Sequence, residues 1–298
     1  MWRCAGLRWR SDGPAWAWWH PGHGDRSSPV RLGEPLALAV EPDAERLCLG
    51  VRRSGRWTPC PRARTLPPQA RRDQCEECAA LDRSRSVAAD TRLDDPRPYA
   101  LYLAWFGPGL CKVGITAAER GTARLLEQAA LCFSFLGRGP LIAARRAESV
   151  LGTALGVPDR VSTSAKRAAR DTPSPPDVRH AELRAVREAA FAVPDWCDTL
   201  APCPFEVVDH AAVFGLEPRP PRAATAVSGL RPGTALVGTV EAVAGADLYV
   251  RLPEGAADVV LLDAHLAAGW PLTAAAQGLP TPPMRPLSRT DEPPEPLF

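Results

Sequence analysis

The chain has 298 residues, 45% of them hydrophobic, and a formal net charge of +2. That is apolar material for two or three modest domains. It is too little net charge for a bulk electrostatic grip on a polyanion, so any such binding has to come from a local basic patch. No stretch reaches the roughly 18 apolar residues of a membrane span, and the charged opening MWRCAGLRWRSDG lacks the apolar core of a secretory signal, so the protein reads as soluble and cytoplasmic.

Residues 1–47 read as a small β unit. Trp16–His20 and Pro35–Val40 are strand-like, punctuated by Gly22, Gly24 and Gly33. Trp16, Trp18 and Trp19 form either the core of this unit or a base-stacking surface. Residues 48–97 hold a cysteine-rich module and a polar linker, the linker covering 81–97.

Residues 98–215 carry the clearest pattern. Tyr99–Phe106 is a strand, Gly107-Pro108-Gly109 a turn, and Cys111–Ile115 a second strand. Ala118–Ala130 is helical with Leu125, Leu126 and Ala129 on one face, Leu131–Leu136 is a third strand, and Leu141–Leu155 is a helix. The order is β-β-α-β-α, followed by a further helix over Ala181–Ala192. Leu216–Thr225 is a proline-rich linker. Residues 226–276 read as a small barrel-like β module. The tail, 277–298, is too proline-rich and polar to pack and reads as disordered. The fold class is therefore α+β.

Nine cysteines, an odd number, argue against a closed disulfide framework. Cys75 and Cys78 form a CxxC, a spacing that lets two thiolates converge on one tetrahedral ion. Cys48 and Cys60, beside Gly50 and Pro61, are the candidate second pair, completing a closed structural zinc site. A redox CxxC is the other reading, but Glu76 and Glu77 between the thiols disfavour a lowered thiolate pKa. Unliganded thiols are the third. Cys4, Cys111, Cys132, Cys197 and Cys203 read as buried small hydrophobes. His20 and His23 have an HxxH spacing divided by a Pro-Gly turn.

The chain contains only two lysines, Lys112 and Lys166, among 36 basic residues. A lysine kept in so arginine-rich a chain marks a place for a compact, flexible ammonium. In the hairpin, Tyr102 and Lys112 can face each other across the sheet. Gly114 leaves room for close approach. Thr116 is placed to cap the following helix, and Arg124 lies two turns into it. Helical angles put Glu148 at the margin of a buried stripe with Ala144, Leu151 and Leu155. There it either holds a divalent cation or pairs with Arg145 or Arg124.

These residues resemble the GIY-YIG nuclease superfamily, in its branch whose second motif begins with lysine. Ala100-Leu101-Tyr102 stands for the first motif, and Lys112-Val113-Gly114, extended to Thr116, for the second. The helical arginine falls on Arg124, with Arg120 as the alternative, and the metal-binding glutamate on Glu148. The cysteine-rich start, the KVGIT motif and the β ending also resemble an uncharacterised bacterial family of unknown function, DUF2797, over Cys48 to Trp270. The nuclease resemblance implies phosphodiester hydrolysis of DNA or RNA. In it Tyr102 activates the nucleophile, Arg124 and Lys112 stabilise the phosphate charge, and Glu148 binds Mg²⁺ or Mn²⁺. Lysine in place of the second tyrosine suits phosphate binding better than base catalysis.

Over 145–171, Arg145, Arg146, Arg160, Lys166, Arg167 and Arg170 stand against Glu148, Asp159 and Asp171, a local +3. This is a candidate phosphate track or an ordinary solvated face. Asp263 and His265 form a possible pair but read as solvent-facing loop residues. The favoured function is a metal-dependent nuclease with a structural zinc site; the alternative is a non-catalytic, zinc-containing nucleic-acid- or protein-binding protein.

Overall fold

A computed structural model of the protein describes residues 1–53, 56–82, 95–158, 160–194, 196, 198–253, 259–275 and 278–287. Asp159, Cys197 and the tail beyond 287 lie outside the described residues, as does most of the 81–97 linker. Three strands open the chain, β1 (Arg3–Arg10), β2 (Gly13–His20) and β3 (Gly24–Pro29), forming one antiparallel sheet. Trp16 and Trp18 point to one face and are buried, as a two-residue period requires. Trp19 faces the other way and stacks on Trp57, with ring centres 5.4 Å apart.

The next strand, β4 (Pro35–Val40), leaves these three. It pairs with strand residues 235–239 near the other end of the chain. The expected division into an N-terminal β unit and a separate C-terminal module thus meets one shared sheet. The cysteine segment follows, with the short strands β5 (Val51–Arg53) and β6 (Arg56–Thr58) and the six-residue helix α1 (Glu76–Leu81).

The middle of the chain has the expected element order. β7 (Tyr99–Trp105) and β8 (Cys111–Ala117) form a hairpin. The helix expected over 118–130 is broken: a 3₁₀ turn covers Ala118–Arg120, Gly121 takes φ +49°, and α2 spans only Ala123–Glu127. Thr116 caps nothing, being buried within β8. β9 (Cys132–Gly139) pairs with β7 on its free side, and α3 (Leu141–Leu155) follows as expected. α4 (Thr163–Asp171), which the sequence reading left out, is capped by Ser162, whose hydroxyl accepts from the Ala165 N–H at 3.1 Å. α5 (Pro176–Ala192) begins five residues before its expected start, with proline in its first turn.

All seven residues of β7 are buried. As the strand between β8 and β9 it is covered on both faces, so it reads as an unbroken apolar run. Leu101, Leu103 and Trp105 join the main core with Ala144, Ala147 and Leu151 of α3 and Leu183 of α5. Tyr102, Ala104 and Phe106 pack instead with Leu125, Ala130 and Phe133.

Short strands β10 (Ala201–Pro202) and β11 (Val208–Asp209) add to β9. Beyond them come β12 (Ala223–Val227), β13 (Ala235–Ala244), β14 (Asp247–Arg251), β15 (Val259–Asp263), β16 (Leu272–Ala274) and β17 (Met284–Pro286). With β4 they form a seven-stranded sheet in the order β16-β4-β13-β14-β15-β12-β17. Part of the segment read as a disordered tail is therefore an edge strand: β17 pairs with β12, closing the sheet on that side.

Two polar anchors tie the ends together. The Trp9 indole N–H donates to the Gly245 carbonyl at 2.8 Å. Arg46, only 1% exposed, donates to the carbonyls of Ala70 (2.6 Å), Pro67 (2.8 Å), Ala268 (2.8 Å) and His265 (2.9 Å). Burial pushes its guanidinium down to about 10. It pins the cysteine segment to the loop after β15, satisfying carbonyls that would otherwise be buried unpaired.

Candidate functional site

In the hairpin register Tyr102 stands opposite Gly114, and Lys112 opposite Ala104. Tyr102 and Lys112 therefore share one face of the sheet but are diagonal, not facing, neighbours. The phenol ring lies across Gly114. A Cβ there would come within 2.3 Å of the tyrosine oxygen, so glycine is what lets the ring lie down on the sheet.

The Tyr102 hydroxyl accepts a hydrogen bond from Gln128 Nε2 at 2.8 Å. Gln128 follows α2, and both lysines of the chain meet at it. Lys112 Nζ lies 3.4 Å from its side-chain oxygen, and Lys166 Nζ donates to its carbonyl at 2.9 Å. Lys166 also sits 4.1 Å over the Phe106 ring. Gln128 is the central polar residue that sequence reasoning missed; only its place in the stretch read as helical over Ala118–Ala130 hinted at it.

Burial raises the Tyr102 phenol above its ordinary pKa, partly offset by Gln128 and Arg124; the Glu148 carboxylate adds to the rise. Of the residues named by the resemblance, Lys112 reaches the tyrosine's hydrogen-bond partner, and Arg124 and Glu148 push the phenol in opposite directions. The tyrosine, however, is 1% exposed. The apolar residues of α3 pack against the opposite face of the sheet from Tyr102, leaving Glu148 half-buried at that helix's margin. Lys166 is pushed down to about 8, first by burial and then by Lys112, Arg170 and Arg124.

The basic run of 145–171 does not form one track. Arg146 and Arg160 are exposed and Arg145 is half-buried. Lys166 turns inward to Gln128. Arg167 grips Asp247 bidentately (2.5 and 3.0 Å) and reaches Asp263 at 3.3 Å. Arg170, 2% exposed, pairs with the same Asp247 and with the Tyr249 hydroxyl at 3.3 Å. The phosphate-track reading of Arg167 and Arg170 is corrected: they clamp α4 to β14, where a buried carboxylate needs cationic partners. Asp263 and His265, read as loop residues, form a bonded pair at 2.6 Å, with Asp263 buried. Burial opposes ionisation of Asp263, but His265 and Arg71 outweigh it and hold the carboxyl well below the usual range.

The cysteines form the second cluster. The Sγ atoms of Cys48, Cys60, Cys75 and Cys78 all lie within 4.8 Å of one another, and Cys60 Sγ is 4.0 Å from Cys75 Sγ. A tetrahedral Zn²⁺ with bonds of about 2.3 Å sets sulfurs about 3.8 Å apart, so the four fit such an ion. Cys48 Sγ also accepts from the backbone N–H groups of Cys75 (3.1 Å) and Gly50 (3.4 Å), the kind of support a thiolate ligand needs. Burial pushes the Cys48 thiol up to about 11. Cys60 feels burial too, but the N–H groups of Arg64 and Arg62 outweigh it and bring it to about 7. Among the described residues this is the single group of three or more side chains able to hold a metal; Glu148 joins none.

A family model described as a protein of unknown function, DUF2797, matches residues 37–266. The chain belongs to the DUF2797 family. No curated protein and no solved structure matches it. The DUF2797 span contains all four cysteines, the Tyr102–Gln128 cluster and the Asp247 clamp; it begins within β4 and holds the β4–β13 pairing, while the edge strands β16 and β17 lie beyond it. Among the described residues, no helix is long and apolar enough to cross a membrane.

Proposed function

We propose that the protein binds nucleic acid through a GIY-YIG-like core, does not cleave it, and is held together by a structural zinc ion. The observation that carries this reading is the meeting of Lys112 and Lys166 at Gln128, beside Tyr102 and within the field of Arg124. Three cationic groups gathered at one place suit a phosphodiester backbone. The buried, hydrogen-bonded Tyr102, whose proton is harder to remove than an ordinary phenol's, speaks against its acting on a nucleophile.

Fluorescence anisotropy with single- and double-stranded DNA and RNA tests the reading. Binding at low salt is expected to weaken steeply as salt rises. Lys112→Ala is expected to reduce the slope of log K against log salt by about one. Absence of binding at low salt overturns it. The hydrolytic reading retains one supporting observation, the joint action of Arg124 and Glu148 on the Tyr102 phenol. Mn²⁺-dependent cleavage that Glu148→Ala abolishes would establish that reading instead.

A further inference from the structure

A cavity of about 410 Å³ opens where four stretches far apart in sequence meet: β1, the cysteine segment, the 3₁₀ turn with α2, and the turns flanking β14 and β15. Five arginines line it, Arg8, Arg52, Arg71, Arg120 and Arg124, against three acidic residues. Trp57 stands in its wall.

The arginines are held but not exhausted. Arg71 pairs with Asp263 at 2.8 Å, Arg120 with Glu127 at 2.5 Å, and Arg52 with Asp25 at 3.5 Å. Arg124 approaches Glu127 only to 3.9 Å. All four of these side chains stay more than a third exposed. A guanidinium carries five N–H donors in a fork, more than a single carboxylate can accept. Trp57 is fixed from behind: its indole N–H donates to the Leu49 carbonyl at 2.6 Å, and it stacks on Trp19. The volume falls within the roughly 300–1,000 Å³ of small-ligand sites and excludes a duplex.

We propose that this cavity binds a nucleotide, with an aromatic base against Trp57 and its phosphate among the arginines. Phosphate suits guanidinium forks, and an aromatic wall beside them suits a nucleobase. Two sources share this chemistry, a free mononucleotide and the phosphorylated end of a single strand. The assignment shares Arg124 with the reading of the core but does not rest on the meeting of Lys112 and Lys166.

Isothermal titration of the full-length protein with AMP, GMP, CMP and UMP tests it, beside adenosine and inorganic phosphate. A mononucleotide is expected to bind more tightly than phosphate or nucleoside alone. Arg52→Ala and Arg120→Ala are each expected to weaken it about tenfold, the loss of one charge-assisted hydrogen bond, while Arg231→Ala, at an exposed turn outside the cavity, leaves it unchanged. Circular dichroism checks that each variant folds. Competition by a 5′-phosphorylated but not a 5′-hydroxyl oligonucleotide supports the strand-end source; competition by neither supports the free nucleotide. No nucleotide binding at about 1 mM, affinity equal to that of phosphate, or indifference to both cavity variants overturns the proposal. Mononucleotide binding that is unchanged in Lys112→Ala, while nucleic-acid binding is weakened, separates this site from the core.

Discussion

Around the four cysteines the apolar packing amounts to little more than Val51 and Leu66, whereas around Tyr102 every residue of β7 is buried. Both regions hold a cluster of polar atoms in close register. In residues 48–82 few apolar side chains are buried beyond Leu49, Val51 and Leu66, so a metal ion shared by the four cysteines would be what organises the chain there. In residues 99–139 the apolar strands organise the chain, and the polar atoms are carried at some cost to stability. The same kind of cluster is thus a foundation in one region and a burden in the other.

Testing the cysteines for a metal ion is the strongest way to break that comparison. Zinc analysis of the purified protein is expected to give about one equivalent, and none in Cys78→Ser. Structural zinc sites contribute an apparent ~10–16 kcal/mol of binding free energy that is also folding free energy. Hydrogen exchange is therefore expected to show residues 48–82 unprotected in that variant while 99–139 keep their protection. If both segments stay protected, the cysteine segment has an apolar foundation after all.

The Asp247 clamp sharpens the comparison at the second level. Asp247→Ala leaves Arg170 buried without its carboxylate and loosens Arg167, an expected loss of about 3–5 kcal/mol in denaturant unfolding. The double variant Asp247→Leu with Arg170→Met is expected to recover most of that, since the charges are costly to bury even when paired. A double variant no better than the single would show that the pair contributes net stability.

Gly114→Ala comes third, at about 1–3 kcal/mol for forcing a methyl group into the Tyr102 ring. The cost is expected to shrink in a Tyr102→Leu background. Equal cost in both backgrounds would place the strain in the backbone and not in the ring contact.

Much of this molecule was legible in the sequence wherever the signal was local. The CxxC and its partners, the β7–β8 hairpin and α3 follow from spacing and periodicity within a few dozen residues. What was missed depends on pairing across the chain. Nothing in Pro35–Val40 says that its partner is β13, some 200 residues later. Arg167 and Arg170 look like surface charge until Asp247 is brought beside them. Arg8, Arg52 and Arg71 of the cavity carry no signal, since arginine is common throughout this chain, and nothing local says that they meet Arg120 and Arg124. At the candidate site, the hairpin that puts Tyr102 and Lys112 on one face of the sheet was anticipated. The burial of the tyrosine was not, because it depends on α2, whose helix the Gly121 break shortens and redirects.

The smallest expected effect is the most specific to the polar cluster of the core. Lys166 is held down to about 8, by burial first and by Lys112, Arg170 and Arg124 next, against about 10.4 in an unfolded chain. Below about pH 8 both states carry the proton, and the full cost of keeping a charged amine there is present. Between about pH 8 and 10.4 the folded protein has released a proton that the unfolded chain still holds, so stability rises with pH across that window. Lys166→Met is expected to be more stable than the parent near neutral pH, by about 1–2 kcal/mol, with the difference fading toward pH 10. Comparing the two proteins cancels the opposite titration of Tyr102. With two lysines in the chain, the same point can be read chemically. Acetic anhydride at pH 8, followed by peptide mass spectrometry, reports each amine separately, and a basicity this low leaves a large share of Lys166 unprotonated and reactive. A stability difference that stays constant with pH would mean that Lys166 titrates normally and that the cations around Gln128 do not crowd one another.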